Sequence, residues 1–267
     1  MSAKEIASLL PEVVKIAREA GKRILAVYET DFEVQTKEDT SPLTAADLAA
    51  HETILAGLKK LTPDWPILSE ESAEIGFDIR SGWSRYWLVD PLDGTKEFVK
   101  RNGEFTVNIA LIDDHRPVLG VVHVPVSGRD YYASCESGAW RQDPGEEPVS
   151  IHVNPRCQRP VRVVGSKSHR GKSLDAFLDH VGEHTLIPMG SSLKICLVAD
   201  GSADIYPRLG PTSEWDTAAA QAVVEIAGGQ MTNIDGEAIQ YNKKPDLLNP
   251  FFLVFGDSSV DWPGLLK

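Results

Sequence analysis

Apolar residues at Ile6, Leu9, Leu10, Val13, Ala17, Ala20, Ile24 and Val27 recur every three or four positions, the spacing of one face of an amphipathic helix. Pro11 falls inside that run. Proline lacks the amide proton that a helix interior uses, so the helix is expected to begin at Pro11 or to kink there. Residues 32–36 suit a short strand. A second helix is expected over residues 44–61, with Leu48, Leu55, Leu58 and Leu61 as its stripe and Thr44 with Asp47 as a variant capping box.

The pattern then changes to short runs rich in branched and aromatic residues. Trp87-Leu88-Val89 leads into Asp90, residues 106–112 and 118–124 suit a hairpin, and 131–133 suit a further strand. Residues 141–155 carry three prolines, a glycine and several acids, a composition that suits a boundary between domains. The expectation is an N-terminal α+β domain over 1–150 and a C-terminal α/β domain over 151–267. In the second part strands at 161–164, 185–187 and 203–206 alternate with helices near 174–181 and 193–199. A helix over 217–227 stops at Gly228-Gly229, and 251–255 forms a last buried strand. Elements of both kinds in alternation predict a layered, mixed α/β (α+β) protein.

Charge narrows the function. The net charge is −12, so a basic footprint for nucleic acid is absent and no polymeric nucleic-acid partner is expected. Cys135, Cys157 and Cys196 form no C-x-x-C pair, which argues against a disulfide framework or a zinc site and for a reducing compartment. Residues 1–12 do not read as a charged-then-apolar leader, and no run has the apolar length of a membrane span, so a cytoplasmic protein is expected, with peripheral attachment to an inner membrane left open.

The densest chemistry is Asp90-Pro91-Leu92-Asp93-Gly94-Thr95. Two carboxylates and the Leu92 carbonyl can face one point, and hard cations take oxygen ligands of this kind. Taken alone, the segment reads as a turn, Glu70 as a surface acid and Asp216 as a helix N-cap. Together, Glu70-Glu71-Ser72, Asp90 to Thr95 and Trp215-Asp216-Thr217-Ala218-Ala219 resemble the signature regions of the inositol monophosphatase superfamily, in order and spacing and over nearly the whole chain. That resemblance implies an αβαβα sandwich, Mg2+ as cofactor (two or three ions), and metal ligands at Glu70, Asp90, the Leu92 carbonyl, Asp93 and Asp216. It implies catalytic roles for Glu70, Asp47 and Thr95, with Thr95 orienting the attacking water. A capping role suits Asp47 equally on its helix position.

Substrate choice falls to the second half. Gly165-Ser166-Lys167-Ser168-His169, Gly190-Ser191-Ser192-Leu193-Lys194 and Pro207-Arg208 each follow or open an element and together offer hydroxyls, a helix N-terminus and two cations. With Lys96-Glu97-Phe98 they resemble the CysQ-type 3′(2′),5′-bisphosphate nucleotidases. That resemblance implies conversion of adenosine 3′,5′-bisphosphate to AMP and phosphate, in support of sulfate assimilation, by a lithium-sensitive monomer or homodimer. Substrate contacts implied are Glu70, Leu92, Asp93, Gly94, Thr95 and Asp216 around the reacting phosphate, and His169, Ser191, Lys194 and Arg208 around the second. Two alternatives stay open at this level: an inositol or broad sugar phosphatase, and a non-catalytic metal-dependent nucleotide sensor.

Overall fold

The computed structural model describes residues 2–29, 45–165 and 172–267, with the backbone of two short strands at 35–36 and 42–43. The elements run α1 (Ala3–Tyr28), β1 (Gln35–Thr36), β2 (Pro42–Leu43), α2 (Ala45–Leu61), β3 (Ile67–Ser69), α3 (Phe77–Arg80), β4 (Arg85–Asp93), α4 (Thr95–Val99), β5 (Thr106–Asp113), β6 (Arg116–Val124), β7 (Arg129–Ser134), β8 (Gly138–Gln142) and β9 (Val149–Ser150). They continue as β10 (Val161–Gly165), α5 (Lys172–Val181), β11 (His184–Pro188), α6 (Leu193–Ala199), β12 (Ile205–Arg208), α7 (Ala218–Ile226), β13 (Gln230–Asn233) and β14 (Phe252–Phe255).

Helix α1 does not start at Pro11. Ser2 caps it: the Glu5 amide donates to Ser2 Oγ at 3.4 Å and the Ser2 amide donates to Glu5 Oε2 at 2.6 Å, and the helix runs on through Pro11. The leucine stripe expected for α2 is corrected only in part, since Leu58 is buried and Leu61 packs against the same core as expected. Its buried face is Ala46, Asp47, Ala50, Ile54 and Leu58, whereas Leu48 is 45% exposed. The small residues let α1 approach closely. A Cβ on Gly57 would lie 2.7 Å from Ile16 Cγ1. Thr44 and residues 32–34 of the expected strand lie outside the described residues.

Two mixed sheets form the frame. A seven-stranded sheet has the order β3-β4-β5-β6-β7-β8-β9, with β3 parallel to β4 and antiparallel pairing beyond. A five-stranded sheet has the order β11-β10-β12-β14-β13, parallel on the β10 side and antiparallel on the β14 side. The first sheet is complete at Ser150 and the second opens at Val161. Helices α1 and α2 cover one face of the first sheet through Val13, Ile24, Ile54, Trp87, Val89 and Ile109. Its other face meets α6 and α7 in a core that holds Leu88, Ala110 and Val122 together with Val164, Tyr206 and Val254 of the second sheet. Helix α5 closes the far side over Val163, Ile205 and Leu253. The layers are therefore α, β, α, β, α, as expected.

Candidate metal centre and anion cleft

The segment from Asp90 to Thr95 is the bulged end of a strand rather than a turn after it. Strand β4 pairs with β5 through Asp90 opposite Asn108 and Asp93 opposite Thr106, so two residues, Pro91 and Leu92, face one, Val107. Side chains alternate along a strand, and positions three apart normally point to opposite faces. The extra residue restores Asp93 to the face of Asp90, while Leu92 joins the core under α1 and α2. Pro91 has no amide to pair, and the Leu92 amide donates to Asp90 Oδ1 at 3.0 Å. Beyond the bulge, Gly94 adopts φ 92°, which a side chain resists, and Thr95 opens α4.

Asp216 arrives from the other lobe. It is not the N-cap of α7, a position held by Thr217; instead the Ser213 amide donates to Asp216 Oδ2 at 3.0 Å. The preceding Glu214 is buried and accepts from the Asn242 amide at 2.9 and 3.1 Å. Asn242 Oδ1 in turn accepts from the buried Arg80 of α3 at 2.5 Å. This strap holds the Asp216 segment against the first lobe.

Asp90, Asp93 and Asp216 each bring a carboxylate oxygen within 4.8 Å of the others. Burial lifts the Asp90 carboxyl well above its usual range, and the charges of Glu70, Asp93, Asp216 and Asp47 lift it further. Burial likewise pushes Asp216 up to about 8, with Asp93 and Glu70 adding to the shift. The five acids singled out in the sequence thus share one field. Glu70 enters it from the turn after β3, and Asp47 from the buried face of α2. Asp90 Oδ2 is buried without a hydrogen-bond partner. An orphaned buried carboxylate oxygen among like charges, with oxygen donors on several elements, fits a hard divalent cation.

Beside the acids lies a cleft lined by Asp93, Gly94, Lys96, Glu97, Gly190, Ser191, Lys194, Tyr206, Arg208, Asp216 and Phe252 among others. Asp47, Glu70, Asp90, Leu92 and Thr95 do not line it; charge and the bulge connect them to it. Lys194 is buried. Its ammonium donates to the Ser191 carbonyl at 2.5 Å and sits 5.6 Å from the Tyr206 ring centre, and burial lowers its pKa to about 8. Arg208 donates to Thr212 Oγ1 and to the Pro211 carbonyl. Ser191 faces the metal side: its hydroxyl donates to Asp93 Oδ2 at 2.5 Å, and the Ser192 amide donates to the same oxygen at 2.6 Å. His169 lies outside the described residues.

Arg80, Glu214, Thr106 and Asn108 support the site without belonging to any of the sequence motifs. Thr106 and Asn108 carried a signal: they are the polar residues in the run Thr106-Val107-Asn108-Ile109-Ala110, and both are buried. Buried polar side chains in an apolar strand need a partner, and here the partners are the Ser191 and Ser192 hydroxyls.

The model of the inositol monophosphatase family matches residues 5–254. The chain belongs to the inositol monophosphatase family. Among family relatives, the 3′(2′),5′-bisphosphate nucleotidase CysQ of Salmonella typhimurium strain LT2 is 50% identical over 248 residues, covering 92% of this chain and 99% of the relative. The protein of the same name from Haemophilus influenzae is 36% identical over 260 residues, 97% of each chain. The crystal structure of CysQ from Bacteroides thetaiotaomicron, described as a bacterial member of the inositol monophosphatase family, superposes with a TM-score of 0.79 at 40% identity over 91% of this chain and 95% of that one. An inositol monophosphatase from Anabaena shares the fold at 23% identity, with a TM-score of 0.77 over 98% and 95% of the two chains. Within the family frame, no helix among the described residues is long and apolar enough to cross a membrane.

Proposed function

We propose that this chain is a magnesium-dependent phosphomonoesterase that hydrolyses the 3′-phosphate of adenosine 3′,5′-bisphosphate, releasing AMP and phosphate. The observation that carries the reading is a single cleft walled by the Asp93 and Asp216 carboxylates and by the Lys194 and Arg208 cations. A monophosphate of an uncharged polyol needs the first pair alone. A bisphosphate nucleotide uses both, and the relatives at 36–50% identity carry the name of bisphosphate nucleotidases.

Two or three Mg2+ ions, held by Glu70, Asp90, the Leu92 carbonyl, Asp93 and Asp216, would acidify the attacking water and neutralise charge on the phosphate. Glu70 accepts the water's proton, and Thr95 and Asp47 orient the water. The Gly94 and Thr95 amides hold oxygens of the reacting phosphate. Lys194 and Arg208 grip the second phosphate, and Ser191 lies between the two ends. A phosphate beside Lys194 favours its charged form and offsets the burial that depresses it. His169 is assigned to the same end of the substrate on sequence grounds.

The test is phosphate release from adenosine 3′,5′-bisphosphate and inositol 1-phosphate in parallel, with Mg2+ and with chelator. Strong preference for the nucleotide, abolished by chelator, is the expected result. Replacing Lys194 and Arg208 by methionine should then remove nucleotide hydrolysis and spare a simple monoester. Equal loss on both substrates would overturn the assignment of the second anion site, and preference for inositol phosphate would leave the acid cluster in place with a different substrate. No phosphate release from any substrate class, with nucleotide binding intact, would favour a sensor.

A further inference from the structure

Behind Asp93, on the buried side of β5, stands a row of polar groups that the reaction scheme above leaves unused. Thr106 Oγ1 lies 2.6 Å from Ser191 Oγ and 2.9 Å from Ser192 Oγ, and Ser192 Oγ lies 2.9 Å from the side-chain amide of Asn108. Thr106 and Asn108 are at most 1% exposed. Two apart on β5, they share one face of the sheet, and the β-bulge of β4 brings Asp93 to that face beside Asp90.

The protons in this row can be counted. A carboxylate only accepts, so the Ser191 hydroxyl proton is committed to Asp93 Oδ2. With Asn108 Oδ1 toward Ser192, the Ser192 proton is committed to it. Thr106 then has one proton for two contacts, and Asn108 Nδ2 stays buried without an acceptor. A half-turn of the Asn108 amide about χ2 exchanges its nitrogen and oxygen, which gives every contact in the row one proton and gives Nδ2 an acceptor, with the Asn108 oxygen taking the unpaired position. Each donor then has one acceptor, in one direction: Asn108 Nδ2 to Ser192, Ser192 to Thr106, Thr106 to Ser191, Ser191 to Asp93.

We propose that this one-way chain is a positioning device for the cation site, with Thr106 as its central residue. Its end donor and the Ser192 amide both fall on Asp93 Oδ2 and fix the carboxylate that Asp93 contributes to the cluster with Asp90 and Asp216. The chain also holds Ser191 in its unusual backbone conformation, φ 52°, a left-handed region that a non-glycine residue occupies at a cost and keeps only when its surroundings fix it. Thr106 therefore acts through Ser191 on Asp93. A metal ligand fixed by an outer hydrogen-bonding partner loses affinity when that partner is removed, typically by about 10–100-fold.

The inference rests on the reading of Asp93 as a cation ligand, and the experiment separates the two. Mn2+ binding to the full chain, without substrate, is titrated by the electron paramagnetic resonance of free Mn2+ for the wild type, Thr106→Val, Thr106→Ser, Ser192→Ala and Asp93→Asn. Thr106→Val keeps the branched side chain and removes the hydroxyl; Thr106→Ser keeps the hydroxyl alone. The expected result is an affinity loss of about tenfold or more in Thr106→Val and in Ser192→Ala, with Thr106→Ser close to wild type. Should Thr106→Val fail to fold, Ser192→Ala, which keeps its backbone amide on Asp93, decides in its place. Wild-type affinity in the variant that decides, alongside lost affinity in Asp93→Asn, overturns the positioning role. Unchanged affinity in Asp93→Asn overturns the cation site itself.

Discussion

A strand turns alternate side chains to opposite faces, and Asp90 and Asp93 share a face only because β4 carries one extra residue. Their proximity leaves the metal-free protein with carboxyls that resist ionisation. Asp90→Asn is therefore expected to act in two directions. Turnover should fall by more than about a hundredfold, the upper end for losing even an outer partner of a metal ligand. In chelator at pH 8 the same variant should melt above the wild type, because asparagine does not titrate and the cost of keeping a buried carboxyl there is gone. A calorimetric scan beside a rate measurement checks both. The pH dependence has a definite sign. Asp216 holds its proton to about pH 8 when folded, against 3.8 as an ordinary carboxyl, so the metal-free fold loses stability as pH rises across that interval. Glu214, raised by burial to about 7, acts in the same sense. Lys194, lowered from 10.5 to about 8, carries a penalty that is constant below pH 8 and so does not mask the trend. The rise in melting temperature on adding Mg2+ should thus be larger at pH 8.5 than at pH 6. An equal rise at both would show that the cation does not relieve these acids.

At the scale of elements, the site depends on how closely helices approach the first sheet. Helix α7, which follows Asp216, lies against β6 at Gly120, where a Cβ would stand 2.1 Å from the Ala219 carbonyl oxygen. No side-chain rotation relieves a clash with backbone, so Gly120→Ala must displace α7. Overpacking of this kind costs about 1–3 kcal/mol, occasionally more. The expected outcome is a lower urea midpoint together with weakened Mn2+ binding, since the displaced helix carries Asp216 with it. A loss of stability without a change in Mn2+ affinity would uncouple α7 from the site. Helix α2 makes the complementary case. Its buried face is small because α1 must come near, so Ala50→Leu should destabilise, whereas Leu48→Gln, on the exposed side, should be neutral within about 0.5 kcal/mol.

At the scale of the molecule, the largest core cluster joins residues of both sheets through α6 and α7. Neither lobe buries its inner face without the other. Urea unfolding followed by tryptophan fluorescence and by far-ultraviolet circular dichroism should give one coincident transition. Two separated transitions would show that residues 1–150 and 151–267 each carry a core of their own. The shared core also explains how Arg80 of α3 comes to brace the segment before Asp216 from the opposite lobe.

The sequence by itself determined the elements and the acids. Periodicity placed α6 at its observed bounds and the hairpin of β5 and β6 nearly so, because local spacing is a property of the chain; residue chemistry at element boundaries drew attention to Glu70, Asp90, Asp93 and Asp216, whereas Asp47 was marked by the family resemblance alone. It misread α2 because a leucine and an alanine exchange faces when a neighbouring helix comes close enough to favour the smaller residue. It could not see the bulge that turns Asp93 inward, the hydroxyl row behind it, or the strap from Arg80. Those depend on which residue lies opposite which across strands and lobes, and pairing at a distance is fixed only when the whole core closes.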